Sequence, residues 1–293
     1  MNRAALPLLT AVLSGALVAV QQRLNGDLGT ALRNPLLAAV VSFSGGLVLM
    51  AVLMFRRTPR EALRRLPGVP WWCRLAGLGG ATLVAVGATA APRLGVALLT
   101  VGLVAGTTVA ALAVDRWGLG PGARRPLTSP RVVGAGLCLV AIVVGAADGL
   151  RAASPLLLAL VVVAGALISA QAAFNGRVRL ATSATVATFV NFVVGTTGLL
   201  VALGIQGLVS GVRADRWPTD WWLYLGGPIG CVFIAVASVT VSTLGVLRLG
   251  LAVTAGQLLG GIALDARRGV SGATFAAATL TLMAVAVSGR GAR

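Results

Sequence analysis

Apolar runs of membrane-spanning length recur along the whole chain, and short breaks carrying turn formers or arginine divide them. A helix needs about 20 apolar residues to cross a bilayer. On that scale the pattern predicts ten spans, at about 4–22, 35–55, 71–91, 94–114, 131–149, 154–172, 183–204, 221–242, 245–264 and 270–288. The breaks include Asn25-Gly26, Arg56-Arg57-Thr58-Pro59, Pro92-Arg93, the stretch 118–130, Ser154-Pro155 and Arg267-Arg268-Gly269. Ala4 to Val20 reads as a retained first span, because equally apolar stretches follow it to the C-terminus where a signal peptide would give way to polar sequence. The fold class expected is an all-α membrane protein.

Composition agrees. The 293 residues are 57% hydrophobic and 11% charged, against about 25% charged in soluble domains. There is too little polar surface to cover a water-soluble fold. The net charge of +17 comes from 24 basic residues, all arginine, most of them in the breaks. Arginine placed there faces headgroups or cytosol; a nucleic-acid partner would require one polar basic face, so none is expected. Sixteen arginines fall on one set of alternate loops and eight on the other. The excess predicts that both termini are cytoplasmic, and the first half supplies nearly all of it. Histidine is absent, and Cys73, Cys138 and Cys231 are far apart with no CxxC. No metal or other cofactor is therefore expected, and the cysteines read as small packing residues.

The most informative pattern is a repeat at an offset of 150 residues. Gly15-Ala16-Leu17 returns as Gly165-Ala166-Leu167, and Gln21 and Asn25-Gly26 return as Gln171 and Asn175-Gly176. Trp71-Trp72 returns as Trp221-Trp222, Leu94-Gly95-Val96 as Leu244-Gly245-Val246, Gly106 as Gly256, and Asp115 as Asp265. Paired tryptophans, Asn-Gly and Asp at one constant offset are hard to obtain by chance. The chain thus divides into residues 1–150 and 151–293, with five spans in each. An odd number of spans turns the second half upside down relative to the first, and inverted repeats of this kind recur in secondary transporters.

Gly15-Ala16, Gln21, Asn25-Gly26, the Trp-Trp opening of the third span, the Ala91-Pro92-Arg93-Leu94-Gly95 turn and Asp115 closing the fourth span carry a family resemblance. The sequence resembles the drug/metabolite transporter superfamily, and more closely its YdcZ-like branch of inner-membrane exporters, in a fused two-repeat form. The resemblance covers both halves. It implies a polytopic bacterial carrier in which spans 1–3 and 6–8 surround a central path while spans 4, 5, 9 and 10 form a frame.

None of the seven acids lies near the middle of a span. Small multidrug resistance relatives rely on a glutamate in their first helix, and the first span here has no acid. A neutral or zwitterionic solute fits better than proton/cation antiport on that pattern. Asn191 falls mid-span, where a primary amide needs a partner, and Phe192 follows it. Ser42-Phe43 holds almost the same place in span 2, at an offset of 149. These four residues, with Gln21 and Gln171, are the candidate substrate contacts. Gln21 and Asn25 share one helix face, as do Gln171 and Asn175. Asn25 and Asn175 are candidate gate residues, although Asn-Gly is equally a natural helix C-cap. Asp115 and Asp265, expected at opposite membrane faces, are gate candidates that would pair with arginine or else simply mark where a span ends.

The ladders Gly102, Gly106, Ala110 and Ala252, Gly256, Gly260 read as close helix-packing seams, and the Trp-Trp pairs read as an aromatic belt. The expected function is export of a small metabolite or amphipathic solute by alternating access. A lipid or lipid-carrier flippase is the alternative; an enzyme is disfavoured, since no catalytic set lies inside the spans. The expected partners are bilayer lipid and a small-molecule substrate, with a homodimer left open.

Overall fold

The structure is a computed structural model that describes residues 5–145, 154–211, 217–265, 279–280, 282–284 and 286–288, with backbone alone at 88–89, 91–92, 94–101, 141–145 and 265. Every regular element among the described residues is helical. The α-helices are α1 Ala5–Ala31, α2 Pro35–Met54, α3 Arg57–Leu63, α4 Trp71–Arg74, α5 Gly77–Trp117, α6 Ser129–Gly145, α7 Pro155–Ala181, α8 Ala184–Ser210, α9 Gly226–Leu244 and α10 Val246–Asp265. Short 3₁₀ turns at Leu66–Gly68 and Trp221–Leu225 complete the set. Among the described residues, six helical stretches are long and apolar enough to cross a bilayer: α1, α2, α7, α8, Trp221–Leu244 and Val246–Leu264. Gly77–Gly87 and Ser129–Val140 are shorter apolar helical segments. Most of span 10 lies outside the described residues.

Local chemistry explains several boundaries. Asn34 caps α2, accepting from the Leu37 amide at 3.0 Å, and Pro35 opens the helix. Ser183, its counterpart at the 149 offset, caps α8 in the same way. Each supplies an oxygen to an amide that the helix leaves unpaired. Gly245, at φ +77°, separates α9 from α10 with a backbone conformation that residues bearing a Cβ rarely adopt.

One expectation is overturned. Asn25-Gly26 and Asn175-Gly176 are not helix C-caps, because α1 and α7 each run 27 residues, straight through them. Tertiary packing overrides the weak helix propensity of Asn-Gly. Gly176 lies against Val241 and Pro121, where a Cβ would not fit. The Asn175 side chain is hydrogen-bonded, as described below.

In spans 3 and 4, helical backbone continues over Gly77–Trp117, 41 residues, through the expected break at Pro92-Arg93. Were it straight, Gly79 and Thr107 would stand roughly 40 Å apart. Instead both touch the same stretch of α7. Gly79 packs on Leu167 and Gln171, while Thr107 bonds to Gly165 and accepts from Ser169. The direction along α7 also reverses. Trp72 lies on Phe174 and Gly79 on Leu167, whereas Gly102 lies on Val161 and Gly106 on Val162 and Ala166. The segment therefore doubles back between Val84 and Gly102, and its two limbs lie antiparallel on α7.

The contacts are reciprocal between the halves. A Cβ on Gly15 would overlap the Val253 carbonyl, and one on Gly165 would overlap the Leu103 carbonyl. Gly256 meets the Val12 carbonyl and Gly106 the Val162 carbonyl. Gly77 packs on Asn191 and Gly195, just as Gly227 packs on Ser42 and Gly46. Each contact returns with its partners exchanged by the repeat offset. The small-residue ladders thus join the halves, span 4 on α7 and span 9 on α1. Two contacts are self-paired: Phe43 on Phe192, and Gly134 beside Ala284. The counterparts α2 and α8 run antiparallel, with Leu36 near Leu203, Val40 near Leu199 and Met54 near Val186.

Gly106→Val and Gly256→Val are each expected to lower the melting temperature in detergent, by at least about 1–3 kcal/mol of stability, since a backbone carbonyl blocks the added carbons. Gly136→Ala, with open space at its Cβ, is the control, and is expected to be neutral or stabilising by up to about 1 kcal/mol. Equal melting points for all three would contradict these crossings.

Candidate functional site

The bundle's centre lies where α1, α2, α7 and α8 meet the starts of α5 and α9. The helix of span 3 is interrupted there. After α4, the amides of Leu78 and Gly79 bond three residues back, to Leu75 and Ala76. The Gly80 amide instead donates to Gln171 Oε1 at 2.8 Å, in a buried position. Reciprocally, Gln21 Nε2 donates to the Gly226 carbonyl of the second half at 2.9 Å, at the 3₁₀-to-α transition that opens α9. Both glutamines thus reach the irregular starts of counterpart helices, where backbone polar groups need partners in a medium without water.

The rings of Phe43 and Phe192 stand 5.3 Å apart at 43°. Gly46 lies under Phe192 and Gly195 under Phe43. Beside the rings, Asn175 Nδ2 donates to Asn191 Oδ1 at 2.9 Å, and Asn191 is 1% exposed. The equivalent corner differs. Ser42 stands where Asn191 would be, 1% exposed, and neither Ser42 Oγ nor Asn25 Oδ1 has a hydrogen-bond partner. Both atoms lie against Gly226, whose counterpart in the first half is Ala76. Relative to its mate, this corner has lost a carboxamide and a methyl group.

The structure therefore gathers all six candidate contacts, Gln21, Ser42, Phe43, Gln171, Asn191 and Phe192, together with Asn25 and Asn175. Gly80 and Gly226 were missed by sequence reasoning, although Trp-Trp at a constant offset points to the broken starts that follow it.

Asp115 is not at this centre. Its carboxylate accepts from the amides of Val246 at 2.8 Å and Leu247 at 3.1 Å, and so caps α10 across the halves. Arg131 completes it with a buried ion pair, the two side chains being 5% and 8% exposed. Arginine pairing was expected; the cap was not. The side chain of Asp265 lies outside the described residues. Trp71, Trp221 and Trp222 are exposed, as belt residues would be. Trp72 departs from the belt, packing edge-on against Phe174 at 4.9 Å and under Arg177 at 5.3 Å.

Apolar helices of membrane-spanning length around a small buried centre of amides, hydroxyls and two phenyl rings are the architecture of a polytopic membrane protein, in which buried polar groups must find partners inside the bundle. The family described as "Putative inner membrane exporter, YdcZ", of the drug/metabolite transporter type, matches residues 6–144 and again 156–290. The chain belongs to that family, as a multi-pass inner-membrane protein with one copy of the family pattern in each half. A solved crystal structure 23% identical to this chain shares the fold, with a TM-score of 0.69 over 99% of this chain and 97% of that one. No curated protein matches.

Asp115→Ala strands Arg131 without its acid and uncaps α10. The expected cost is about 3–5 kcal/mol, read as loss of monodisperse protein or a collapsed melting temperature. A variant as stable as the parent would remove Asp115 from the joint.

Proposed function

We propose that this chain is a secondary transporter exporting a small neutral or zwitterionic metabolite, or an amphipathic solute, by alternating access. It is built from ten spans in two inverted five-helix halves, 1–150 and 151–293, with both termini in the cytoplasm. The reciprocal contacts, the antiparallel α2 and α8, and the doubling back of α5 support the inverted arrangement. The two-to-one division of arginine between alternate loops supports the orientation.

The observation that carries the reading of a binding centre is the unlike chemistry of the mated corners: Asn175 and Asn191 are closed on one another, while Asn25 and Ser42 are not. The difference is one of residue type, Ser for Asn and Gly for Ala, so it stays with its corner. The two-state reading rests on the repeat itself, since halves inserted in opposite senses could exchange conformations and turn the centre toward the other compartment. The unpartnered Asn25 Oδ1 and Ser42 Oγ offer acceptors to a solute N–H or O–H, and the phenyl pair offers its faces to an apolar body. The pathway carries no acid among these contacts, so the solute is uncharged or self-neutralised.

A lateral apolar groove of about 470 Å³ between α1 and α10, lined by Leu13, Ala16, Leu17, Val20, Gly260 and Leu264, among others, favours a second reading, a lipid or lipid-carrier flippase. Flux of labelled lipid without solute flux in proteoliposomes would select it.

Screening the purified protein against metabolite and drug libraries by thermal shift is expected to yield stabilising solutes, since ligands that prefer the folded state raise its melting point. Asn191→Ala and Gln21→Ala should each weaken those hits about five- to tenfold, as loss of one buried hydrogen bond predicts. Full affinity for every hit in both variants would refute the site. Ser42→Asn is expected to pair with Asn25, adding about 1 kcal/mol of stability while slowing solute exchange. Unchanged melting and unchanged flux would count against this corner as part of the binding centre.

A further inference from the structure

The arginines around the α9–α10 joint outnumber the acid that could neutralise them. Arg248 lies one turn inside α10; among the described residues it forms no ion pair, and its Nε is buried without a hydrogen-bond partner. Arg125 and Arg131 lie close enough to act on it by Coulomb repulsion. Asp115 is already committed to two backbone amides and Arg131. Arg125 is held by the Thr243 carbonyl at 2.8 Å, and Arg131 also donates to the Pro126 carbonyl at 3.1 Å. Carbonyl groups orient these guanidiniums but carry no net charge to offset theirs. A cleft lined by Asp115, Gly118, Gly120, Gly122, Arg125 and Gly245 lies on the Arg125 side of this group. Arg125 and Arg131 stand at one saturated carboxylate, and Arg248, three residues into the helix that this carboxylate caps, adds a further cation, so positive charge is in excess at the end of a transmembrane helix.

We propose that Arg248, with Arg125 beside it, binds a phosphate-bearing anion at this membrane face, supplied by the headgroup of an anionic lipid. Guanidinium matches phosphate oxygens in a bidentate fork, and basic pockets between transmembrane helices bind acidic headgroups. Depth agrees, since a side chain one turn from a helix end snorkels to headgroup level. The bound phosphate brings to Arg248 the charge that Asp115 cannot, and so ties α10, α9 and the 118–126 loop together. The site is separate from the Arg56–Arg65 stretch, whose arginines lie on and around α3.

The test uses the full chain in neutral detergent, titrated with phosphatidylglycerol, with phosphatidylcholine, or with inorganic phosphate, and follows the melting temperature. Phosphatidylglycerol should stabilise the parent more than phosphatidylcholine does. Arg248→Gln should raise the half-saturating phosphatidylglycerol concentration about tenfold, the effect of losing one charged hydrogen-bonding group. Without lipid, Arg248→Gln should melt no lower than the parent, because it removes an unpaired cation. Arg248→Lys, which keeps the charge but not the fork, should fall between the two and serves if the Gln variant fails to fold. Arg57→Gln, on α3, should leave the Arg248-dependent shift intact. If inorganic phosphate alone reproduces that shift, the anion is free phosphate and not a headgroup. An undiminished phosphatidylglycerol response in both Arg248 variants overturns the site.

Discussion

Hydrocarbon offers helices no water to escape from, so what holds this bundle together is how closely two backbones can approach. At four crossings, Gly15, Gly106, Gly165 and Gly256 each lie against a carbonyl of a helix in the opposite half, with no space for a Cβ. These crossings fix α1 against α10 and the second limb of α5 against α7. The polar centre inherits its geometry from them, because Gln21 and Asn25 continue the helix that Gly15 anchors, and Gln171 and Asn175 the helix that Gly165 anchors.

The same absence of water sorts the polar side chains into two kinds. At the helix ends, charge is tolerated because partners are supplied: Asp115 receives two amides and Arg131, and Arg177 receives the carbonyls of Gly118 and Gly120. At the centre, only neutral amides and hydroxyls remain, each costing less to bury than an ion. Two of these acceptors, Asn25 Oδ1 and Ser42 Oγ, have no hydrogen-bond partner, and on the proposed function they are the ones a solute would meet. On that reading stability draws on charged residues at the rim and transport on neutral ones in the middle.

Much of this was legible in the residues themselves. The 150-residue offset foretold which positions would be counterparts, and mid-span Asn191 and Ser42-Phe43 marked the centre. Helix ends were less legible. Asn-Gly has the chemistry of a cap, yet neighbouring Val241 and Pro121 keep Gly176 inside α7, and no local pattern reveals a neighbour 65 residues away. Asp115 was read as a gate or a span end; its true partners, the amides of residues 246 and 247, belong to backbone that a sequence string does not locate. The contrast between the paired and unpaired corners was visible only as Asn against Ser and Ala against Gly, changes whose meaning depends on knowing that the four residues meet.

Phe43 and Phe192 are each other's counterparts, so in the proposed inverted arrangement the pseudo-two-fold passes between their rings, as it does between Gly134 and Ala284. On the two-state reading, a substituent placed on that line is seen alike by the inward- and outward-facing forms and alters how tightly cargo is held. A substituent off the line, on Asn25 or Asn175, is felt by one form more than the other and tilts their balance. On that reading occupancy and bias would be governed by separate sets of neighbouring atoms, and selection could retune what is carried without disturbing which way the protein rests.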